Sequence, residues 1–336
     1  MRIIPISLLL TLGLTAGVQV ANSQPAPPKP PAGQTRLISG LPVESVTVVA
    51  TKPSEETIKN FVETRTAPTR VLGKMAWWMS KVCPKTIGLG EIYAKYVSQR
   101  IREIATAVGA PVNDDAACRP NIEVVFTTTP DGLVDNVRKH QPLLVGFHDN
   151  IRQAAELANV THPIQAWYVT ETIDIDGSRI IDSGRCGAGA SLNIQTDAQT
   201  ATGDMATAGV YQLSLPCAMI VHASGSRVNN GLSSGFFNVL IVAEPAKLLD
   251  YEVGSLADYI AMLALSQPAS LDSCLELPSI SNMLAPGCAS VSNRITDGDL
   301  AYLRALYKMP DGTSLTVQRD EIMFRMKKTL VTDKGG

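Results

Sequence analysis

The sequence has little of what a nucleic-acid-binding or zinc-dependent protein needs. Only 18% of its 336 residues are charged, and 29 Lys and Arg nearly balance 31 Asp and Glu. Such a chain lacks the basic surface that nucleic acid or an anionic membrane requires, so we expect neither partner. It has four histidines, none spaced i,i+4 from another, and no C-x2-C pair. We therefore expect no metal and no cofactor.

Long apolar runs are also lacking, apart from one at the N-terminus. Met1-Arg2 precedes an apolar run over residues 3–16, and Ala21-Asn22-Ser23 has the small-x-small pattern of a cleavage site. The run is shorter than the ~20 residues of a membrane span. Residues 1–23 are thus predicted to be a signal peptide cleaved before Gln24. We expect a secreted or periplasmic protein without a membrane span after cleavage.

The domain organisation follows from composition. Residues 24–37 are rich in proline and predict an extended linker. Residues 38–336 predict a single α+β domain, with a sheet-containing part over 38–253 and a helical part over 254–330. That length is ample for a hydrophobic core.

Six cysteines in an exported chain predict three disulfides, although six cysteines allow 15 connectivities. Spacing favours local pairs, namely Cys83 with Cys118, Cys186 with Cys217, and Cys274 with Cys288. A zinc site is the alternative, and the spacing does not favour it.

Periodicity predicts the individual elements, of which the clearest is an amphipathic helix over 89–108 that ends at Gly109. Because strands dominate the first part and helices the last, we expect an α+β fold. A segment over 184–215, rich in small residues, is expected to be irregular. The other predicted elements are strands at 45–50, 121–128, 164–175, 179–181 and 236–243, and helices at 54–62, 131–139, 151–158, 256–266, 297–308 and 315–329.

A G-x-S-x-G motif at residues 231–235 suggests an alternative function, a metal-independent serine hydrolase. Ser233 would be the nucleophile, and His222 is the nearest base in the sequence. A nucleophile elbow requires a strand, a sharp turn and then a helix, whereas a strand is predicted after this motif. All four histidines also precede Ser233, so the usual triad order is absent.

A second short motif, Asp174-Ile175-Asp176-Gly177, matches part of a calcium-binding loop. The final position of that loop is Ser183 instead of the bidentate Glu, so the motif predicts a β-hairpin turn.

The most informative segment covers residues 254–307. Ser255 and Asp258 predict a capping box that opens a helix apolar on every side, which indicates a buried position. A loop between Cys274 and Cys288 follows. A second predicted box, Thr296 to Asp299, opens the next helix.

This order of segments resembles the C-terminal half of metzincin-type zinc peptidases, especially the matrixin-like pattern. Those proteins have a buried H-E-x-x-H-x-x-G-x-x-H helix, a turn containing Met, and a closing helix. The chain is also similar to uncharacterised exported proteins of Gram-negative bacteria, through stretches such as LADYIAML and DLAYLRALYKM. The resemblance implies a zincin-like mixed sheet with packed helices.

In this alignment the three metal positions are Ala257, Ala261 and Gln267, the general base is Asp258, and Met283 takes the Met-turn position. Alanine has no lone pair to donate and glutamine is a poor zinc ligand. The resemblance therefore implies a pseudoenzyme without zinc chemistry.

We expect a non-catalytic binding or envelope-associated module, whose partner is a protein or peptide of the cell envelope. A peptidase inhibitor, a partner-dependent subunit, and two ordinary core helices without any zincin relationship stay open as alternatives.

Overall fold

The computed structural model describes residues 52–115, 117–183, 191–194, 211–214, 222–223 and 229–332. Residues 51–336 form one compact unit. The expected signal peptide, linker, strand at 45–50 and Cys186–Cys217 pair lie outside the described residues.

Strands and helices are interspersed in the first part of the described chain, five strands then follow one another, and three α-helices come last. The strands are β1 (Ala76–Trp77), β2 (Pro84–Ile87), β3 (Ile122–Phe126), β4 (Ile164–Ile173), β5 (Arg179–Ile181), β6 (Ser191–Ile194), β7 (Tyr211–Ser214) and β8 (Ser233–Ala243). The helices are α1 (Glu55–Arg65), α2 (Glu91–Val108), α3 (Pro130–His140), α4 (Ile151–Leu157), α5 (Val253–Leu265), α6 (Asp297–Leu306) and α7 (Leu315–Lys327).

The main sheet is mixed, in the order β2-β3-β8-β4-β5, and β1 joins the N-terminal end of β8. Strands β1 and β3 pair with β8 in parallel, and β2 pairs with β3 in parallel. Strands β4 and β5 are antiparallel to their neighbours. Strands β6 and β7 form a separate two-stranded antiparallel sheet inside the segment expected to be irregular, which corrects that expectation. The α+β class is confirmed.

Hydrophobic side chains fill both faces of the sheet. The larger core includes Phe61 of α1, Ile101 of α2, Ile260 of α5 and Leu303 of α6. A smaller core on Trp167 of β4 includes residues of α3 and α4. Strand β8 is almost entirely buried because both faces are covered, as its continuous apolar run predicts.

Helix α5 lies in the middle of the larger core, and every residue from Ser255 to Leu265 is buried. Its predicted start was wrong, because Glu252 is the N-cap and Ser255 lies inside the helix. Asp258 is also not part of a cap, since its carboxylate accepts hydrogen bonds from Arg100 Nε at 2.6 Å and from the backbone N–H of Ile295 at 2.8 Å.

Other local predictions hold more closely. Ser54 caps α1, and Thr296 with Asp299 forms the expected capping box of α6. The Cys83–Cys118 and Cys274–Cys288 disulfides are present. Helices α6 and α7 end two residues earlier than expected, at Leu306 and Lys327. Within the described ranges, no helix is long and apolar enough to cross a membrane.

Candidate functional site

Ala257 and Ala261, the two residues of α5 that align with zinc ligands in the metzincin pattern, face the neighbouring helix α2. A Cβ on Gly254 would lie 3.5 Å from the Tyr96 hydroxyl of α2, and Asp258 binds Arg100 on the same helix. Helical periodicity places Ala257 and Ala261 toward this side of α5, where both are fully buried. Small side chains there allow the two helices to approach closely.

The third position, Gln267, lies elsewhere. It follows the end of α5 and lines two adjoining cavities whose walls contain neither alanine. Its side-chain oxygen is buried without a hydrogen-bond partner. Met283 is buried in a short 3₁₀ turn (Ile280–Met283) that packs against α5. The structure therefore brings Met283 and α5 together but does not gather Ala257, Ala261 and Gln267 around one point.

The two cavities, of about 160 and 370 Å³, share Ala166, Tyr168 and Gln267, and we call them together the β4 groove. One wall is β4, and another is the segment 267–272 that follows α5. The Tyr168 hydroxyl donates to the carbonyls of Leu263 at 2.9 Å and Ser266 at 3.2 Å, which ties β4 to the end of α5. Burial raises the pKa of this tyrosine, so it stays protonated as a donor.

Strand β4 has an open edge in this groove. The Pro163 carbonyl accepts the Glu244 N–H on the β8 side, and the Thr170 carbonyl accepts the Asp182 N–H on the opposite side. Because backbone direction alternates along a strand, the N–H and C=O of Ala166 and Tyr168 point away from β8. Strand β5 pairs only with residues 171–173 of β4. Among the described residues, none forms a backbone hydrogen bond with Ala166 on this edge.

The charge distribution is uneven around the groove. Exposed Arg70 lines the smaller cavity, and Asp272 lines the larger one beside His162. The His162 imidazole Nε2 is 3.0 Å from an oxygen of Asp272. The groove thus offers a cation at one end and a carboxylate at the other.

Arg65 is a buried cation close to the groove. Its side chain is 2% exposed, and Nη1 donates to the Ser281 hydroxyl at 2.5 Å, while Nε and Nη2 have no partner. The backbone of the same stretch lies along the groove wall, since Ala67 N–H donates to the Gln267 carbonyl. Burial raises the pKa of Tyr259 to about 12, and the nearby Arg65 charge acts against that rise.

The alternative nucleophile, Ser233, lies in a setting unlike a nucleophile elbow. It is the first residue of β8, is 2% exposed, and its hydroxyl accepts the Gly312 N–H at 2.8 Å. His222, the base proposed with it, has its Nδ1 against a carboxylate oxygen of Asp176. In the part of the chain that the structure describes, no hydrogen bond joins Ser233 to His222.

The Asp174-to-Gly177 motif forms the predicted hairpin turn. One oxygen of Asp174 accepts the N–H groups of Asp176 and Ser178. Asp174, Asp176 and His222 each offer one atom that could bind a metal ion, and these three atoms lie within 4.8 Å of one another. The sequence alone did not predict this grouping. His222 is far from this turn in sequence, so no local pattern could show that proximity.

Two further carboxylates are buried beside the β4–β5 hairpin. Asp182 accepts from the Thr170 and Thr172 hydroxyls, and Glu171 pairs with Arg179 at 2.5 Å. Burial raises the pKa of both acids, although their hydrogen-bond partners oppose the shift. No cation compensates Asp182 among the described residues.

Comparisons with protein-family models, with curated proteins and with solved structures found no match. The open edge of β4 depends on which strands neighbour each other, and the unpaired Gln267 oxygen depends on how the segment after α5 packs.

Proposed function

We propose that this chain is a binding protein with a zincin-like fold and no metallopeptidase chemistry, and that it holds an extended peptide segment of a partner in the β4 groove. The observation that carries the proposal is the open backbone edge at Ala166. An exposed N–H and C=O pair on a strand edge adds a further strand readily. Here that edge borders cavities with room for side chains.

The groove also offers contacts beyond the backbone. The Gln267 oxygen is a buried acceptor without a donor, which a peptide N–H would satisfy. Arg70 and Asp272 at opposite ends favour a segment that carries an acidic and a basic residue.

The order of elements supports the zincin-like part of the proposal. Strand β8 leads into the fully buried α5, a loop with buried Met283 packs against α5, and α6 follows. The side chains on α5 do not define a ligand register, since Ala257 and Ala261 face α2. The proposal therefore depends on the succession of elements.

An exported protein of the periplasm or the extracellular space agrees with the two disulfides, because such bonds persist in oxidising compartments. The serine hydrolase alternative is less well supported, because the Ser233 hydroxyl is buried and already accepts a backbone N–H.

The test uses a peptide selected from a random displayed library against the intact mature protein. Its affinity is measured by fluorescence anisotropy for the wild type, for Ala166→Pro and for the matched control Ala166→Ser. Proline removes the outward N–H while leaving the ladder with β8 in place. We expect Ala166→Pro to bind at least ~10-fold more weakly, since a main-chain hydrogen bond is lost, and Ala166→Ser to bind as the wild type does.

Circular dichroism and thermal unfolding establish that both variants are folded. If folded Ala166→Pro binds the peptide with wild-type affinity, or if selection yields no specific binder, the β4 groove is not a peptide site.

A further inference from the structure

A hydroxyl, an imidazole and a carboxylate are arranged in series at the larger cavity of the β4 groove. The Thr161 hydroxyl lies 2.7 Å from Nδ1 of His162. On the other side of the ring, Nε2 lies 3.0 Å from an oxygen of Asp272. All three residues line the same cavity of about 370 Å³.

The backbone around this series is held from several directions. Gln165 Oε1 accepts the Thr161 N–H at 2.8 Å, and Gln165 Nε2 donates to the Asn159 carbonyl at 2.9 Å. Across the cavity, Ala269 N–H donates to the Thr64 carbonyl, which fixes the segment that carries Asp272. The triplet therefore joins two separately anchored parts of the chain.

The hydrogen bonds define the proton positions that acyl transfer needs. The Asp272 carboxylate can only accept, so Nε2 carries the ring proton and Nδ1 is left with its lone pair. That lone pair faces the Thr161 hydroxyl, whose single proton has two acceptors within reach, Nδ1 at 2.7 Å and Gln165 Oε1 at 3.2 Å. The shorter contact is the one to Nδ1. A hydroxyl beside an imidazole that is oriented by a carboxylate is the arrangement of an activated nucleophile.

We propose that Thr161 is the nucleophile of a metal-independent esterase site, with His162 as general base and Asp272 as the positioning carboxylate. The Thr161 Oγ attacks the ester carbonyl while its proton passes to Nδ1. The C–O bond to the alcohol then breaks, and the alcohol leaves with that proton. Water attacks the acyl-threonine, gives a proton to Nδ1, and the proton returns to Thr161 as the acid departs.

The cavity indicates the substrate class. Its wall includes apolar groups from Ala166, Leu263, Pro268 and Leu271, and no cation among its lining residues would hold a phosphate. A small ester with a short, uncharged acyl group fits this space. The inference goes beyond peptide binding because it concerns a covalent reaction, although the triplet shares the larger cavity and Asp272 with the proposed peptide site.

The experiment follows hydrolysis of p-nitrophenyl acetate by the purified mature protein and locates any acetyl group by peptide mass mapping. The variants are Thr161→Val, which keeps the shape of the side chain, and His162→Gln. His140→Gln is the matched control, since His140 is exposed and its Nδ1 contacts only the backbone carbonyl of Asn136 in the described structure.

General base catalysis contributes typically 10²–10⁴-fold, so we expect each site variant to lose on the order of 100-fold. The double variant should be no slower than either single one, because the two groups act as a unit. The wild type should carry acetyl on Thr161, and His140→Gln should keep the wild-type rate. Wild-type turnover equal to that of Thr161→Val, an acetyl group on another residue only, or no turnover above buffer would overturn the proposal.

Discussion

Removing the Asp299 carboxylate should be among the most damaging changes of one side chain in this fold. Asp299 is completely buried, and its carboxylate joins the loop after Cys274 to the start of α6. One oxygen accepts from the Ser279 hydroxyl at 2.5 Å. The other accepts from the N–H groups of Ile280 at 2.9 Å and Thr296 at 3.0 Å, and from the Thr296 hydroxyl at 2.9 Å.

The expected magnitude follows from the donors left behind. Asp299→Ala leaves the buried N–H of Ile280 and the half-buried N–H of Thr296 without a partner, at about 1–3 kcal/mol for a fully buried group, and it also removes half of the capping box. We expect a loss of about 3–5 kcal/mol in the free energy of unfolding. Asp299→Asn can turn its oxygen toward the two N–H groups while Ser279 donates elsewhere. It loses mainly the charge assistance, so we expect about 1–2 kcal/mol.

Equilibrium urea unfolding with the disulfides intact measures both values, and Asp297→Ala is the matched control. Asp297 is exposed in the first turn of the same helix, so its removal should cost less than about 1 kcal/mol. If Asp299→Ala lay within 1 kcal/mol of the wild type, or if both Asp299 variants cost the same, the account of this carboxylate would be wrong.

Three further changes test other parts of the structure. Gly88→Ala should destabilise the protein by several kcal/mol, because Gly88 has a φ of +85° and a Cβ there would overlap the Phe126 carbonyl oxygen. Gly109→Ala should cost only about 1 kcal/mol, because Gly109 has a similar φ of +86° but open space around it. Equal urea midpoints for the two variants would contradict this. Asp182→Asn should be more stable than the wild type at pH 7. Burial raises the pKa of Asp182 in the folded state, so its stabilising contribution is complete below the unfolded pKa of about 4 and is lost as pH rises through the folded pKa. The advantage of the variant should therefore vanish at low pH, and a constant difference across unfolding curves at several pH values would refute it. Arg65→Met should leave the free energy of unfolding unchanged or raise it by up to ~2 kcal/mol, because it removes a buried charge with two unpaired nitrogens. A clear decrease in the free energy of unfolding, measured in urea, would show that the charge has a partner.

Much of the local structure follows from short-range patterns. The 3.6-residue periodicity of α2, the caps at Ser54 and Thr296, and the apolar surface of α5 all reflect interactions within a few residues. The two disulfides span more of the sequence, 35 and 14 residues, and pair the cysteines that are adjacent in sequence order. The start of α5 is the exception, because Asp258 forms stronger contacts with Arg100 and Ile295 than a cap would provide.

The candidate sites depended on the tertiary structure. Strand β8 inserts between β3 and β4 although it follows β4 by some 60 residues, and this order leaves the edge of β4 open at Ala166. His162 meets Asp272 across 110 residues of sequence. Hydrophobic periodicity records which face of an element is buried, but it carries no information on which other element covers that face. For that reason the sequence alone determined the elements and the burial of α5, whereas only the packed sheet decided which polar groups share a cavity.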